Sequence, residues 1–340
     1  MINIVYFSSG DFGIPSLIKL LDKGNGQTDI SIKGIVTSKD KTLFHPKKIS
    51  DIAEENEIPY IIPKNEEELM KFLTSLGSID MFCVISYKKL SPNILSLVNG
   101  NAINIHASLL PFLRGAAPIS WAIRIGFKQT GLTAFKLSDK IDSGDIIATT
   151  AVDIEKDENY QSLFKRLSDI CADNFITTVI EYYMKSISDD NVCFLHQPSV
   201  GVKSRLLMAP KINRTYWLGW KDLDNNEIDR LFKSTMKGLP CKLYAINRDD
   251  IRETYEFQAK IWDYEWLSYE DAEKHTLDLY PTECDGKNYL RIPTGQHGTM
   301  LMSIKKFQLE GKKIMPITDF LRGFKYSRKI DQFYLDITSY

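Results

Sequence analysis

A chain of 340 residues, with 43% hydrophobic and 26% charged residues, has the composition of a globular protein and the length of two domains. A net charge of −1 excludes a wholesale polyanion binder and leaves room only for a local basic surface. The five cysteines, Cys83, Cys171, Cys193, Cys241 and Cys284, are odd in number, scattered and never paired as CxxC. They exclude a disulfide framework or a zinc site and fit a reducing cytoplasm. The opening MINIVYFSSG lacks a basic n-region and a long apolar core, so no signal peptide is expected. No apolar run approaches the roughly 18 residues of a membrane span.

Short β-branched apolar runs occur at 2–7, 30–36, 58–62, 81–85 and 102–106. Helix-like segments lie between them at 14–21, 49–56, 66–76 and 92–98. Such alternation predicts an α/β domain: a doubly wound, mainly parallel sheet with helices on both faces. A longer helix is predicted over 159–184, where Leu163, Phe164, Leu167, Ile170 and Cys171 share one stripe. Residues 186–208 are polar and aperiodic and read as a linker. From 209 to 328 short strands around 242–246, 255–263, 289–293 and 300–308 suggest a smaller β-rich barrel or sandwich. Residues 329–340 are set apart as a tail. The catalytic domain is thus expected over 1–185.

The segment richest in chemistry is Asn104 to Pro118, NIHASLLPFLRGAAP. Asn104 and His106 are two apart at the end of a predicted strand, so they share one face. That face lies at the carboxyl end of the sheet, where open α/β sheets place ligands. An amide and an imidazole side by side suit acyl transfer, because both can donate to the oxyanion formed when an amine attacks a carbonyl. There is no G-x-S-x-G elbow and no cysteine in a nucleophile signature, so no covalent acyl-enzyme is needed. A second element, IDSGDI, places Asp142 in a tight turn before an apolar run. If it reaches His106, it can orient the imidazole, stabilise its charged form, or help carry a proton. His45, His196, His275 and His297 have no metal-like spacing and receive no role.

The run NIHASLLPFLRGAAP followed by IDSGDI resembles the folate-dependent formyltransferase family, which carries an Asn-x-His-x-Ser-Leu-Leu-Pro motif and a downstream Asp-x-Gly. The resemblance implies that Asn104, His106 and Asp142 take the three catalytic positions. It also implies a direct transfer from 10-formyltetrahydrofolate, without a metal. Val84, Ile85, Ser86, Tyr87, Lys88, Lys89 and Leu90 would line the pterin cavity through their backbone. Ser108, Leu109, Leu110 and Pro111 would join them. Leu137, Ser138, Asp139, Lys140 and Ile141 would form the other wall. Lys88 and Lys89 would meet the folate's glutamate tail or stay as solvated surface lysines. On the acceptor side the resemblance points to Ser9, Gly10, Phe12, Arg114 and Gly115. Phe12 either shapes the acceptor pocket or packs as a helix staple.

Within the family, SSGDFGIPSL, RGAAPISWAI, MAPKI and LEGKKIMPITDFLRGFK resemble the branch that acts on initiator methionyl-tRNA in translation initiation. For that branch the resemblance implies an OB-like second domain, action as a monomer, and an RNA partner. Two stretches depart from it. Residues 37–46, TSKDKTLFHP, are shorter than the usual tRNA-contacting loop and lack its Gly-Arg-Gly character, with Lys39, Lys41, Lys47 and Lys48 as the available charge. A Pro-x-Pro segment is replaced by Gly238-Leu239-Pro240-Cys241. Between Ser303 and Lys329 eight basic residues face only Glu310 and Asp319, a strip able to hold a nucleic-acid backbone. Two other readings are carried: a sugar-nucleotide N-formyltransferase with the same donor, and a non-catalytic RNA-binding homologue.

Overall fold

The computed structural model describes residues 1–22, 29–39, 44–187, 192–197, 208–211, 225–235, 238–247, 254–267, 282–284, 287–294, 300–320 and 330–336. They fall into two compact units, Met1–Ala122 with Phe127–Lys211, and Ile123–Gly126 with Ile212–Tyr340.

The first unit is built on seven strands: β1 (Ile2–Ser8), β2 (Ile30–Val36), β3 (Tyr60–Ile61), β4 (Met81–Ile85), β5 (Ala102–His106), β6 (Gln129–Lys136) and β7 (Ile146–Asp153). Their order is β3-β2-β1-β4-β5-β6-β7. The first five in that order pair in parallel. β6 and β7 add an antiparallel edge that the sequence reading lacked. Covering helices are α1 (Ile14–Leu21), α2 (Ile49–Glu55), α3 (Glu66–Ser75), α4 (Pro92–Ser96) and α5 (Pro118–Ile125).

Local chemistry accounts for these elements. β4, Met-Phe-Cys-Val-Ile, is buried on both faces, as a central parallel strand must be. Asn65 caps α3 by accepting the Glu68 N–H at 2.8 Å, and three glutamates fill that helix's first turn, where the dipole favours them. Ser91 caps α4, with Pro92 at its first position. Phe7 and Phe82 meet edge-on at 5.1 Å within a cluster that includes Val5, Val36, Leu73 and Ile94. Strand order reverses between β1 and β4, the position where doubly wound sheets open a ligand crevice.

The long helix expected over 159–184 is present as α6 (Tyr160–Ile170), a π turn at Cys171–Phe175, and α7 (Ile176–Ser186). Asn159 and Ser162 form a reciprocal capping box at its start. Leu163, Leu167 and Cys171 are fully buried, and so are Ile176, Ile180 and Tyr183 after the π turn.

Residues 192–197 of the segment read as a linker lie in the first unit, with Leu195 bridging to Ile146 at the start of β7. Residues 198–207 lie outside the described part.

The second unit holds α8 (Asn225–Lys233) and the strands β8 (Leu239–Asn247), β9 (Thr254–Leu267), β10 (Thr282–Cys284), β11 (Lys287–Thr294), β12 (Met300–Leu309), β13 (Met315–Pro316) and β14 (Ile330–Asp336). They form an antiparallel sheet in the order β10-β11-β12-β9-β8-β14, with β13 beside β12. This is the separate small β domain that the short strands suggested. β14, from the segment set apart as a tail, runs along β8. The Asp229 carboxylate on α8 accepts from the Tyr264 hydroxyl and, at 2.9 Å, from the Trp266 indole N–H on β9. Burial, aided by Asp229, holds the Tyr264 phenol far above its ordinary range. Within the basic strip, Lys305 pairs with Glu265 at 2.6 Å and Lys306 approaches Asp263 at 3.8 Å, so part of its charge is neutralised locally. Residues 321–329 of that strip lie outside the described part.

Phe82 is fully buried at the centre of the first sheet. Phe82→Ala should cost about 3–5 kcal/mol of stability, read as a lowered urea midpoint with an unchanged slope.

Candidate active site

Asn104 and His106 end β5 on one face, beside β4 and β6. His106 is 7% exposed, and its Nε2 lies 2.8 Å from the Leu113 carbonyl. A carbonyl can only accept, so Nε2 carries the proton and the neutral ring keeps its lone pair on Nδ1. Nδ1 faces Asp142 Oδ2 at 3.7 Å. This distance is too long for a direct hydrogen bond. Oδ2 is held instead by the Gly115 N–H at 2.8 Å. Asn104 is flanked in register by Val84 and Phe135. Its side-chain oxygen is buried with no hydrogen-bond partner among the described residues.

Two loops bring these groups together. The first runs from Ser108 to Gly115. Thr133, opposite His106 on β6, pins it: its hydroxyl donates to the Ser108 carbonyl at 2.7 Å and accepts the Leu110 N–H at 3.0 Å. Ser108 Oγ donates to the Phe112 carbonyl at 2.7 Å, and the Leu110–Pro111 peptide is cis. The second loop links β6 to β7. A Cβ on Gly144 would lie 1.7 Å from the Lys136 carbonyl, so no other residue fits there without moving the turn. Ser138 and Ser143 hydroxyls meet at 3.1 Å, and the Lys136 N–H donates to the Asp145 carbonyl at 2.9 Å. Leu113 (φ 59°) and Asp142 (φ 46°) are both left-handed. For residues with a Cβ this strain costs on the order of 1–3 kcal/mol each and needs a supporting shell.

Arg114 is buried, and both its Nε and one terminal nitrogen donate to Gln197 Oε1, at 3.1 and 2.7 Å. Burial lowers the guanidinium's proton affinity, while nearby Asp142 acts in the opposite sense. The expected catalytic trio and the acceptor-side pair Arg114 and Gly115 therefore belong to one neighbourhood.

Of the expected pterin-lining residues, Val84, Ile85 and Leu90 send their side chains into the core. Ser86 (φ 52°) turns the chain so that its carbonyl accepts the Ser9 N–H at 3.1 Å, across the switch between β1 and β4. The Tyr87 ring packs on Phe7 at 5.5 Å, and burial raises its phenol. Lys88 is 5.9 Å from the Tyr87 ring centre. Lys89 Nζ donates to the Asp139 carbonyl at 2.5 Å, so one bond ties the two expected walls together. Leu137 packs into both adjoining core clusters, whereas Ile141 is 63% exposed.

Phe12 packs against α6. It is buried, edge-on to Phe164 at 5.2 Å, with its carbonyl accepting the Ser168 hydroxyl. Gly10 lines a polar cavity of about 180 Å³ at the ends of β1 and β2, with Thr37, Ser38, Lys39, Lys48 and Ser50. Lys47 is engaged by Glu55 at 2.6 Å, and Lys41 lies outside the described residues. Burial pushes the Cys171 thiol up to about 12 and Cys83 higher still, so both stay protonated and unreactive at neutral pH.

The family model described as formyl transferase matches residues 2–179. The chain belongs to the formyl transferase family. It is 31% identical over 336 residues to a methionyl-tRNA formyltransferase of Azobacteroides pseudotrichonymphae, covering 95% of this chain and 96% of that one. It is 30% identical over 336 residues to one of Chlorobium limicola, covering 96% and 97%. Among solved structures, an N-formyltransferase of Helicobacter canadensis, in complex with folinic acid and dTDP-3-aminofucose, superposes with a TM-score of 0.56. It shares 16% identity and covers 89% of this chain and 99% of that one, a likeness of fold. The chain is therefore an enzyme with a formyltransferase's Rossmann-like sheet.

Sequence reasoning had no means of finding Gln197, which sits in a polar stretch without period, or Thr133, an ordinary strand threonine. It assigned His196 no role, yet that ring meets Asp145 at 2.7 Å.

Gly144→Ala should leave the circular dichroism spectrum intact. Turnover should fall about 10²-fold, because the Asp142 turn must shift by an ångström or more.

Proposed function

We propose that this formyltransferase moves a formyl group from 10-formyltetrahydrofolate to the α-amino group of methionine on initiator tRNA, acting as a monomer in the cytoplasm. The observation that carries the acceptor is the near-full-length similarity to methionyl-tRNA formyltransferases, 31% identity over 95% of the chain. A folate donor is supported by the family and by the folinic acid named in the Helicobacter structure. The residues present suit such a donor. The Asn104 side-chain oxygen has no hydrogen-bond partner among the described residues, and the Lys89 bond to the Asp139 carbonyl joins the 84–90 and 137–141 segments expected to line the folate.

In the reaction the amine nitrogen bonds to the formyl carbon, the carbon's bond to the folate nitrogen breaks, and the amine's proton passes to that nitrogen. Asn104 donates its amide N–H to the oxygen that becomes negative, an interaction typically worth about 10²–10³ in rate. His106 keeps Nε2–H on Leu113, so Nδ1 is the ring atom left to take and return the proton. Asp142, held by Gly115, stands opposite Nδ1 and stabilises the ring while it is charged.

The test is formyl transfer by the full chain to methionyl-tRNA and, in parallel, to an amino-sugar nucleotide. Transfer to the tRNA is expected, and Asp142→Asn should bind folate normally yet lose nearly all turnover. Transfer to the sugar nucleotide alone would replace the acceptor, and wild-type turnover in Asp142→Asn would remove that residue from the reaction.

Lys39 and Lys48 give the short loop after β2 a basic cavity suited to a phosphate of the acceptor. The double variant Lys39→Ala, Lys48→Ala should raise KM for tRNA by about tenfold, leave KM for folate unchanged, and flatten the salt dependence by up to about 2 in log–log slope.

A further inference from the structure

The segment that follows α7 reaches the active-site loops with one side chain. Gln197 is 3% exposed, and both ends of its carboxamide are used. Its oxygen accepts twice from Arg114, at 3.1 and 2.7 Å. Its nitrogen donates to the Asp142 carbonyl at 3.2 Å and to the Gly144 carbonyl at 2.6 Å. Arginine can only donate and carbonyls can only accept, so the amide's orientation is determined by its partners. Its neighbours anchor it. Leu195 exchanges two backbone hydrogen bonds with Ile146, at 2.8 and 3.1 Å, and His196 meets Asp145 at 2.7 Å. Further along, the Ala209 N–H donates to the Arg114 carbonyl at 2.6 Å, and the Ala117 N–H donates to the Ala209 carbonyl at 3.1 Å.

We propose that Gln197 is a positioning residue for formyl transfer: it locks the Arg114–Gly115 loop to the Asp142–Gly144 turn and so sets the Asp142 carboxylate opposite His106. The geometry leaves few substitutes. Glutamate keeps the acceptor for Arg114 but points an oxygen at two carbonyls. Methionine fills the volume without either bond. Asparagine is one methylene too short to span the loops. Asp142 sits in a strained left-handed conformation, and its carboxylate accepts from the Gly115 N–H on the other loop. Loops held in this way drift apart when the bridging amide is lost. The Nδ1 to carboxylate separation of 3.7 Å then changes with them. The assignment rests on the catalytic reading of Asp142 given above.

The test uses the full chain with Gln197→Glu and Gln197→Met, and two independent readouts. The first is kcat and KM for folate per folded molecule, with melting temperature measured on the same samples. The second is hydrogen exchange at the Gly115 and Lys136 amides, which needs no substrate. Both variants should lose about 10²-fold in kcat with KM for folate within about twofold. Gly115 and Lys136 should exchange faster, while the β1 and β4 amides remain as in the wild type. Wild-type kcat in Gln197→Glu, or a loss confined to melting temperature, would overturn the proposal. So would unchanged exchange at Gly115. If the wild-type chain formylates no acceptor, the functional reading fails, and the exchange experiment still decides whether Gln197 locks the loops.

Discussion

The hydrogen bond from the Gly115 N–H to the Asp142 carboxylate is the contact on which the site depends. It joins two loops that start from different strands, and it fixes the carboxylate that faces the histidine. Each partner is prepared at some cost. Leu113 and Asp142 accept left-handed backbone, and position 144 has no room for a side chain. That strain is tolerable only because a shell of buried donors and acceptors over-determines both loops. Thr133 holds the first loop, Gln197 holds the pair together, and the Ala209 backbone holds Arg114.

The parallel core supplies rigidity of a different kind. β4 is buried on both faces, and its partners β1 and β5 each end at a turn of the candidate site. The carboxyl ends of three adjacent strands therefore carry the Ser9 turn, the Ser86–Leu90 segment and the Asn104–His106 pair. The Ser9 to Ser86 hydrogen bond closes the sheet's top where the strand order reverses. The antiparallel β6 and β7 then return the chain to the same edge, which is how Asp142, far along the chain from His106, comes to face it.

Much of this was legible in the sequence. The parallel strands, the helices between them and the capped helix after Asn159 all follow from apolar period and turn chemistry, which are local. Asn104 and His106 could be placed on one face by strand alternation alone. Asp142 needed a resemblance, because nothing in its own turn says what it will face. β6 and β7 were missed because Gln129–Lys136 and Ile146–Asp153 mix threonine, alanine and apolar residues and lack the unbroken apolar runs of the core strands. Gln197 was illegible for a related reason. A glutamine in a polar stretch looks solvated, and only the folded loops supply the arginine and the two carbonyls that bury it. The Lys89 bridge was equally hidden, since the pairing of a lysine with a carbonyl so distant in the chain is a matter of loop geometry.

The π turn at Cys171–Phe175 bears on how this fold tolerates change in length. A single residue added to an α-helix rotates everything beyond it by about 100°, which would swing Ile176, Ile180 and Tyr183 out of the core. The wide turn absorbs that rotation within one loop of the backbone, so the apolar face before it and the apolar face after it still point inward. The helix behaves as two correctly phased cylinders joined by a spacer, and its length is decoupled from its facing.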